Sequence, residues 1–338
     1  MLRFRSRRAS RSSILVHSHG TALEHTWRIY SFGDLDLKKD LEGLPELFLG
    51  KECRTIKSGK KIRVFRLPLH IGRAVKLVYI KQYNALYFRH RLASIFCDSP
   101  ALRALFGAAA LLREGYSTAR PIAAVEHRYK GLLINSFYLS EEIAGAKTVR
   151  DYWRECLHSL TGIEGFLKRQ AVLRALAQLL RSLHERQIYH NDLKASNILA
   201  LDRGPTVDGV FSLIDLQGVR KCGYLSHRRR IKNLAQLNRT LGNDLSRMEK
   251  LSFIRAYVGD HISDRSKTRR LVEKILKETA RQRLRHPIDE SDPNHKVTST
   301  ANEIDSIEHG ISIDAGRFFY DAKRIAPLIA ANMIGAGL

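Results

Sequence analysis

The feature that most constrains the fold is an ordered set of polar residues between apolar runs. His190, Asp192, Lys194 and Asn197 stand in His190-Asn-Asp-Leu-Lys-Ala-Ser-Asn197, and Asp215 follows in Leu213-Ile-Asp-Leu-Gln-Gly218. Leu173, Leu176, Leu180 and Leu183 recur at helical spacing within Phe166–Arg186, so a helix delivers the chain to this set. The period then breaks into a loop and a short strand, and Val210–Leu216 reads as the next strand. Asp192 therefore lies on a loop leaving a helix, and Asp215 at the end of a strand. An Asp so placed can take the proton of an acceptor hydroxyl. An Asn five residues on can reach a metal ion, because the loop doubles back. Mg²⁺ prefers oxygen ligands and keeps several waters, so Asn197 and Asp215 suffice as its protein ligands.

Upstream, the chain reads as strands with one helix. Arg54-Thr-Ile and Ile62–Leu67 flank a turn at Lys57-Ser-Gly-Lys-Lys, which is a hairpin signal. Val75–Tyr83 is a third strand, with Lys81 flanked by apolar residues; Lys76 reads as facing solvent. Ser99 suits a helix cap and Pro100 its first turn, Ala101–Arg113 continues the helix, and Gly115 stops it. Leu132–Glu142 is another strand. Later, Ile231, Leu234, Leu237 and Leu241 mark a helix, and Leu251–Val258 a further one.

The loop from His190 to Asn197 resembles the protein-kinase catalytic loop, and Asp215-Leu-Gln-Gly218 stands where Asp-Phe-Gly would be. That resemblance implies an α+β, two-lobed protein-kinase-like fold with a strand-rich N-lobe and a mainly helical C-lobe, binding ATP and Mg²⁺ between them. It implies that Asp192 is the catalytic base, that Lys194 neutralises the transferred phosphate, and that Asn197 and Asp215 bind Mg²⁺. Lys81 would hold the α- and β-phosphates. Gly59 and Lys60, at a hairpin tip with no G-x-G-x-x-G, would cover the phosphates with amides and charge. Glu142, in Ser140-Glu-Glu-Ile143, falls where backbone groups would hold the adenine. The helix after Ser99 has no acid between Ala101 and Leu112 to pair with Lys81, and Glu114 lies at its far end. Lys81 is then positioned another way, or the protein is a catalytically weak pseudokinase.

Within this superfamily, Val78–Tyr83, Leu111–Ala123 and Ile214–Arg220 followed by a basic helix resemble the lipopolysaccharide kinase (Kdo/WaaP) family, over roughly residues 45–260. No Ala-Pro-Glu segment follows Asp215, and the next helix comes too soon for a long activation loop. The resemblance implies phosphorylation of an inner-core sugar of lipopolysaccharide, Kdo or heptose, at the cytoplasmic face of the bacterial inner membrane. An atypical Ser/Thr protein kinase is the other enzyme reading. The expected organisation is a basic extension (1–45), an N-lobe (46–144), a C-lobe (145–290) and a polar tail (291–338).

Charge supports an anionic partner. Lys and Arg number 58 against 34 acids, a formal net charge of +24. Arg220, Lys221, Arg228, Arg229, Arg230 and Lys232 follow Asp215, and a second run lies between Lys267 and Arg285. A lipopolysaccharide core, or another anionic glycolipid on an anionic membrane surface, would be drawn to such faces. No aromatic-rich basic platform is present, so nucleic acid is not expected. Cys53, Cys97, Cys156 and Cys222 are scattered, which excludes a Cys-x-x-Cys zinc site and fits a reducing cytosol. No apolar run is long enough to span a bilayer. Met1–Ser13 resembles a transit peptide in composition and reads more simply as a flexible basic arm.

Overall fold

The structure, a computed structural model, describes residues 14–20, 25–32, 53–71, 74–85, 87–201, 211–259 and 265–285. The arm at 1–13 and the tail expected after Pro287 lie outside the described residues.

Seven antiparallel strands build the first half: β1 (Ile14–Gly20), β2 (His25–Phe32), β3 (Arg54–Ser58), β4 (Ile62–Ile71), β5 (Ala74–Asn84), β6 (Pro121–Tyr129) and β7 (Leu132–Glu141). Their order is β1-β2-β6-β7-β5-β4-β3. Phe65, Leu67, Leu69 and Ile71 alternate along β4, and with Val78, Ile80, Val125 and Leu139 they bury one face of the sheet. The β1–β2 hairpin lies within the segment read from sequence as a basic extension. β2 pairs along β6, with Ile29 opposite Val125, so these residues are part of the sheet.

Between β5 and β6 come α1 (Phe88–Ala93) and α2 (Pro100–Arg113). Ser99 caps α2, its Oγ accepting from the Leu102 amide at 3.1 Å. Gly115 at φ +81° closes it. Ala101, Ala104 and Leu105 pack under the sheet, whereas Ala108 and Leu111 belong to the core of the second half. One helix thus joins both cores, and its alanines allow the close approach.

The chain crosses to the second half between Glu141 and β8 (Lys147–Thr148), then runs through α3 (Val149–Tyr152) into α4 (Gly162–Glu185). Val172, Leu173, Leu176, Leu180 and Leu183 bury one stripe of α4. β9 (Ile188–His190), β10 (Ile198–Ala200), β11 (Phe211–Leu213) and β12 (Val219–Lys221) are short strands between it and α5 (His227–Leu241), α6 (Arg247–Val258) and α7 (Arg265–Arg285). β12 pairs with β9, and β10 lies between β8 and β11. A strand-rich lobe and a helical lobe are therefore both present. Among the described residues, no helix is long and apolar enough to cross a membrane.

Candidate active site

β9 ends at His190, and the loop after it is held by that residue's ring. The Asp192 amide donates to His190 Nδ1 at 3.2 Å, and Nε2 lies 3.0 Å from the Ile214 carbonyl. An amide only donates and a carbonyl only accepts, so the proton sits on Nε2 and the ring is neutral. Burial pushes this imidazole below its ordinary value, against the hydrogen bond to Ile214. The ring bridges the loop of Asp192 to the strand end of Asp215.

Among the described residues, Asp192 is held through one carboxylate oxygen. Its Oδ2 meets Lys194 Nζ at 3.0 Å and Asn197 Nδ2 at 3.1 Å. Asn197 Nδ2 also donates to the Asp192 carbonyl at 2.8 Å. The carboxylate is thus oriented while half-exposed, the arrangement a base needs before an incoming hydroxyl.

Asp215 follows β11 with φ +59° and ψ +56°, a left-handed conformation that is uncommon for a residue with a Cβ. The Ile214 amide donates to the Asn197 carbonyl at 3.0 Å, which fastens Asn197 and Asp215 to one end of the β10–β11 pair. Lys81 reaches across from β5, its Nζ donating to Asp215 Oδ1 at 2.6 Å and lying 5.4 Å from the Tyr83 ring centroid. Asp192, Lys194, Asn197, Asp215 and Lys81 are therefore brought to one place.

The other expected residues are set further out. Gly59 turns the β3–β4 hairpin, its amide donating to the Ile62 carbonyl. The Lys60 carbonyl accepts from Asn84 Nδ2 at 2.9 Å, tying the tip to the end of β5. Glu142 begins the crossing between lobes, but its carboxylate is gripped by Arg66 (2.8 Å to Oε2) and its amide donates to the Leu77 carbonyl. Of its groups, the carbonyl is what remains to meet an adenine. Lys76, read as facing solvent, pairs with Glu141 at 2.8 Å.

The acid expected on α2 is absent from the neighbourhood of Lys81. Glu114 pairs instead with Lys221 and Arg186. Between α2 and the sheet, Tyr83 and Tyr138 pack with Ala104 and Leu105. α2 is also locked to the Asp215 turn: a Cβ on Gly107 would collide with the Leu216 carbonyl oxygen.

Sequence reading missed the polar face of α5. The Asn191 carbonyl accepts from Gln236 Nε2 at 2.7 Å, and the Leu193 amide donates to Gln236 Oε1 at 3.1 Å. Asn233 Nδ2 donates to the His190 carbonyl at 2.6 Å, and the Ala195 amide donates to Thr240 Oγ1 at 3.0 Å. Asn233, Gln236 and Thr240 recur at i, i+3 and i+7 within the leucine pattern. That periodicity was the available signal: polar residues on a buried helical stripe need partners.

A magnesium ion suits these donors. Asn197 spends Nδ2 on Asp192 and keeps Oδ1, and Asp215 gives Oδ1 to Lys81 and keeps Oδ2; both are hard oxygen donors. No cluster of three or more His, Cys, Asp or Glu able to hold a metal occurs among the described residues. An ion that takes most of its ligands from water and phosphate does not require one.

The two lobes, the tethered loop and the cross-lobe lysine define a protein-kinase-like phosphotransferase. The model of the lipopolysaccharide kinase (Kdo/WaaP) family matches residues 54–257, more than half of the chain, and the chain belongs to that family. It is a family of kinases, which use ATP and transfer phosphate to an alcohol group. A solved structure described as WaaP in complex with acyl carrier protein is similar over 67% of this chain and 88% of its own, at 20% identity and a TM-score of 0.47. No curated protein sequence matches significantly.

Proposed function

We propose that the chain transfers the γ-phosphate of ATP to a hydroxyl of an inner-core sugar of lipopolysaccharide, Kdo or heptose. The observation that carries this reading is the hold on Asp192 through one carboxylate oxygen, across from the Lys81–Asp215 pair. Asp192 orients the acceptor hydroxyl and takes its proton as the bond to phosphorus forms. Lys194, already beside that carboxylate, meets the charge of the transferred group. Lys81 leaves Asp215 in part to hold the α- and β-phosphates, and the hairpin turned by Gly59 closes over them with the positive charge of Lys60. The Glu142 carbonyl is the hinge contact for adenine. Mg²⁺ on Asn197 Oδ1 and Asp215 Oδ2 would neutralise phosphate charge. Residues 46–144, with β1 and β2 added to their sheet, and residues 145–290 act as the two lobes.

Basic residues beside the loop support an anionic glycolipid acceptor. Lys232 Nζ lies 3.3 Å from Asn191 Oδ1, and the Arg229 guanidinium stacks 5.4 Å from the Tyr189 ring centroid. With the net charge of +24, they favour a peripheral position on the anionic inner face of the bacterial inner membrane. Purified protein with Mg·ATP, offered Kdo-bearing lipid A and a heptosylated core, tests the acceptor. Mass spectrometry should place one new phosphate on a Kdo or heptose hydroxyl. Phosphate only on protein Ser or Thr would sink the sugar reading. The missing acid on α2 supports a second reading, nucleotide binding without turnover, which predicts ATP binding and no new phosphate anywhere.

A further inference from the structure

The segment from α1 into the following turn is amphipathic with its apolar side outward. Phe88 and Leu92 lie one turn apart on α1, Ile95 and Phe96 follow in the turn after it, and all four are exposed, Phe88 at 65% and Phe96 at 81%. The polar atoms of the same segment face the sheet. Ser94 is buried, its Oγ accepting from the Leu133 amide at 3.2 Å. Its carbonyl accepts from the Arg128 guanidinium at 3.3 Å, and Arg91 Nε donates to the Ala85 carbonyl at 3.0 Å. Arg128 is itself fixed by Glu126 in a buried ion pair at 3.0 Å. Buried polar anchors therefore hold the phenylalanines in water, where contiguous apolar side chains of this size are seldom left without a role.

Two neighbours of the segment suit a lipid. A cavity of about 320 Å³ adjoins it, lined by Ile95, Phe96, Leu102 and Phe106 together with Arg28 and Arg128 and the acids Asp98 and Glu126. Over residues 87–103 the charged residues are Arg89, Arg91 and Arg103 against Asp98. We infer that Phe88–Phe96 is where the protein seats on an anionic phospholipid bilayer, its apolar side chains entering the interface under attraction from the basic residues around them. This deepens the peripheral attachment proposed above and gives it a place. A second copy of the chain is the poorer occupant, because it would set one basic surface against another. The segment begins just past Asn84, whose side chain and amide hold the Lys60 and Lys61 carbonyls. Seating here sets the phosphate hairpin beside the membrane, where a lipid-anchored acceptor is presented.

The test is flotation of the full-length protein with vesicles of phosphatidylcholine alone and of phosphatidylcholine with phosphatidylglycerol, without ATP or acceptor. Wild type should float with the anionic vesicles. The double variant F88S/F96S should bind them about tenfold or more weakly, since two large apolar side chains no longer enter the interface. Its thermal midpoint should not move, and the single variant F96S should show a smaller loss of binding. Phosphorylation of a soluble, delipidated core should be unchanged in F88S/F96S, and that of a vesicle-borne acceptor should fall. Equal binding by wild type and variant would overturn the inference and leave attachment to the other basic faces. No flotation of wild type would overturn the attachment as well. A wild-type dimer abolished by the variant, with vesicle binding unchanged, would assign the patch to a second copy instead. Loss of kinase activity towards every acceptor would contradict the proposed function but not the vesicle result.

Discussion

Lys81 and Asp215 lie 134 residues apart in the chain and meet in a hydrogen bond of 2.6 Å, from Nζ on β5 to Oδ1 at the end of β11. That contact links the strand-rich lobe to the helical one. Lys81→Met removes the cation and leaves Asp215 without this partner. ATP affinity should fall at least tenfold, measured by calorimetry. Thermal stability should change by only about 1 kcal/mol, because both side chains are partly solvated. Unchanged ATP affinity would mean that Lys81 does not touch the phosphates.

Tyr83 lies two residues from Lys81 on the same strand, β5. The Lys81 ammonium lies over its ring, and the hydroxyl is buried without a hydrogen-bond partner. Tyr83→Phe keeps the ring and removes only that hydroxyl, so ATP affinity and stability should be retained or improved. Tyr83→Leu removes the ring face and should raise the KM for ATP several-fold, in keeping with a cation–π contact of about 0.5–2 kcal/mol. Equal kinetics for Phe and Leu would show that the ring does not position Lys81.

Gln236 supports the catalytic loop from behind. Gln236→Leu leaves the Leu193 amide and the Asn191 carbonyl without their partners, at a cost of about 1–3 kcal/mol. A loop so loosened should lose kcat by roughly ten- to a hundredfold while the KM for ATP moves little. A change in KM alone would contradict the positioning role.

Gly107→Ala tests the lock between α2 and the Asp215 turn. The new methyl meets the Leu216 carbonyl, and overpacking of this kind typically costs about 1–3 kcal/mol. Differential scanning fluorimetry should show a midpoint lower by several degrees. An unchanged midpoint would show that the turn can move away freely.

Acid should weaken the C-terminal lobe. Burial pushes His184 down to about 4 from an ordinary value of 6.5, and its ring nitrogens meet the Tyr257 hydroxyl and Asn233 Oδ1. In the unfolded chain the ring takes a proton near pH 6.5 and in the fold it does not, so the unfolded state binds more protons. Stability is therefore complete above about pH 6.5 and is lost as pH falls towards 4, with a limiting slope of about 1.4 kcal/mol per pH unit for one His. His190, also lowered by burial, adds to the same trend. Urea midpoints between pH 7.5 and 5 should fall, and His184→Gln should flatten part of that fall.

The parts of the fold that the sequence made legible are those where local chemistry and long-range packing agree. The Ser99 cap, the Gly115 stop, the hairpin turn at Gly59 and the leucine stripe of α4 each need only neighbours in sequence. The His190–Asn197 loop is readable because its chemistry demands fixed spacing. The β1–β2 pair was not legible: after Ile14-Leu-Val16 its strands mix His, Arg, Tyr and Ser, and pairing with β6 is what makes them part of the sheet. Nor was the Lys81–Asp215 contact with Tyr83 beneath it, since nothing local to β5 names its partners. The outward side of Phe88–Phe96 was not legible either, because the buried Glu126–Arg128 pair that anchors its other side lies far along the chain.

The central claim is that Asp192 activates a sugar hydroxyl for phosphoryl transfer. Asp192→Asn has the same shape and can still accept from Lys194, but it cannot take a proton at neutral pH. The direct measurement is transfer of γ-labelled phosphate from Mg·ATP into lipopolysaccharide core by wild type and by this variant. Label should enter the glycolipid with wild type and fall by roughly 10²–10⁴-fold in the variant, with ATP affinity retained. Transfer by the variant at the wild-type rate, or none by wild type into any core acceptor, would contradict it.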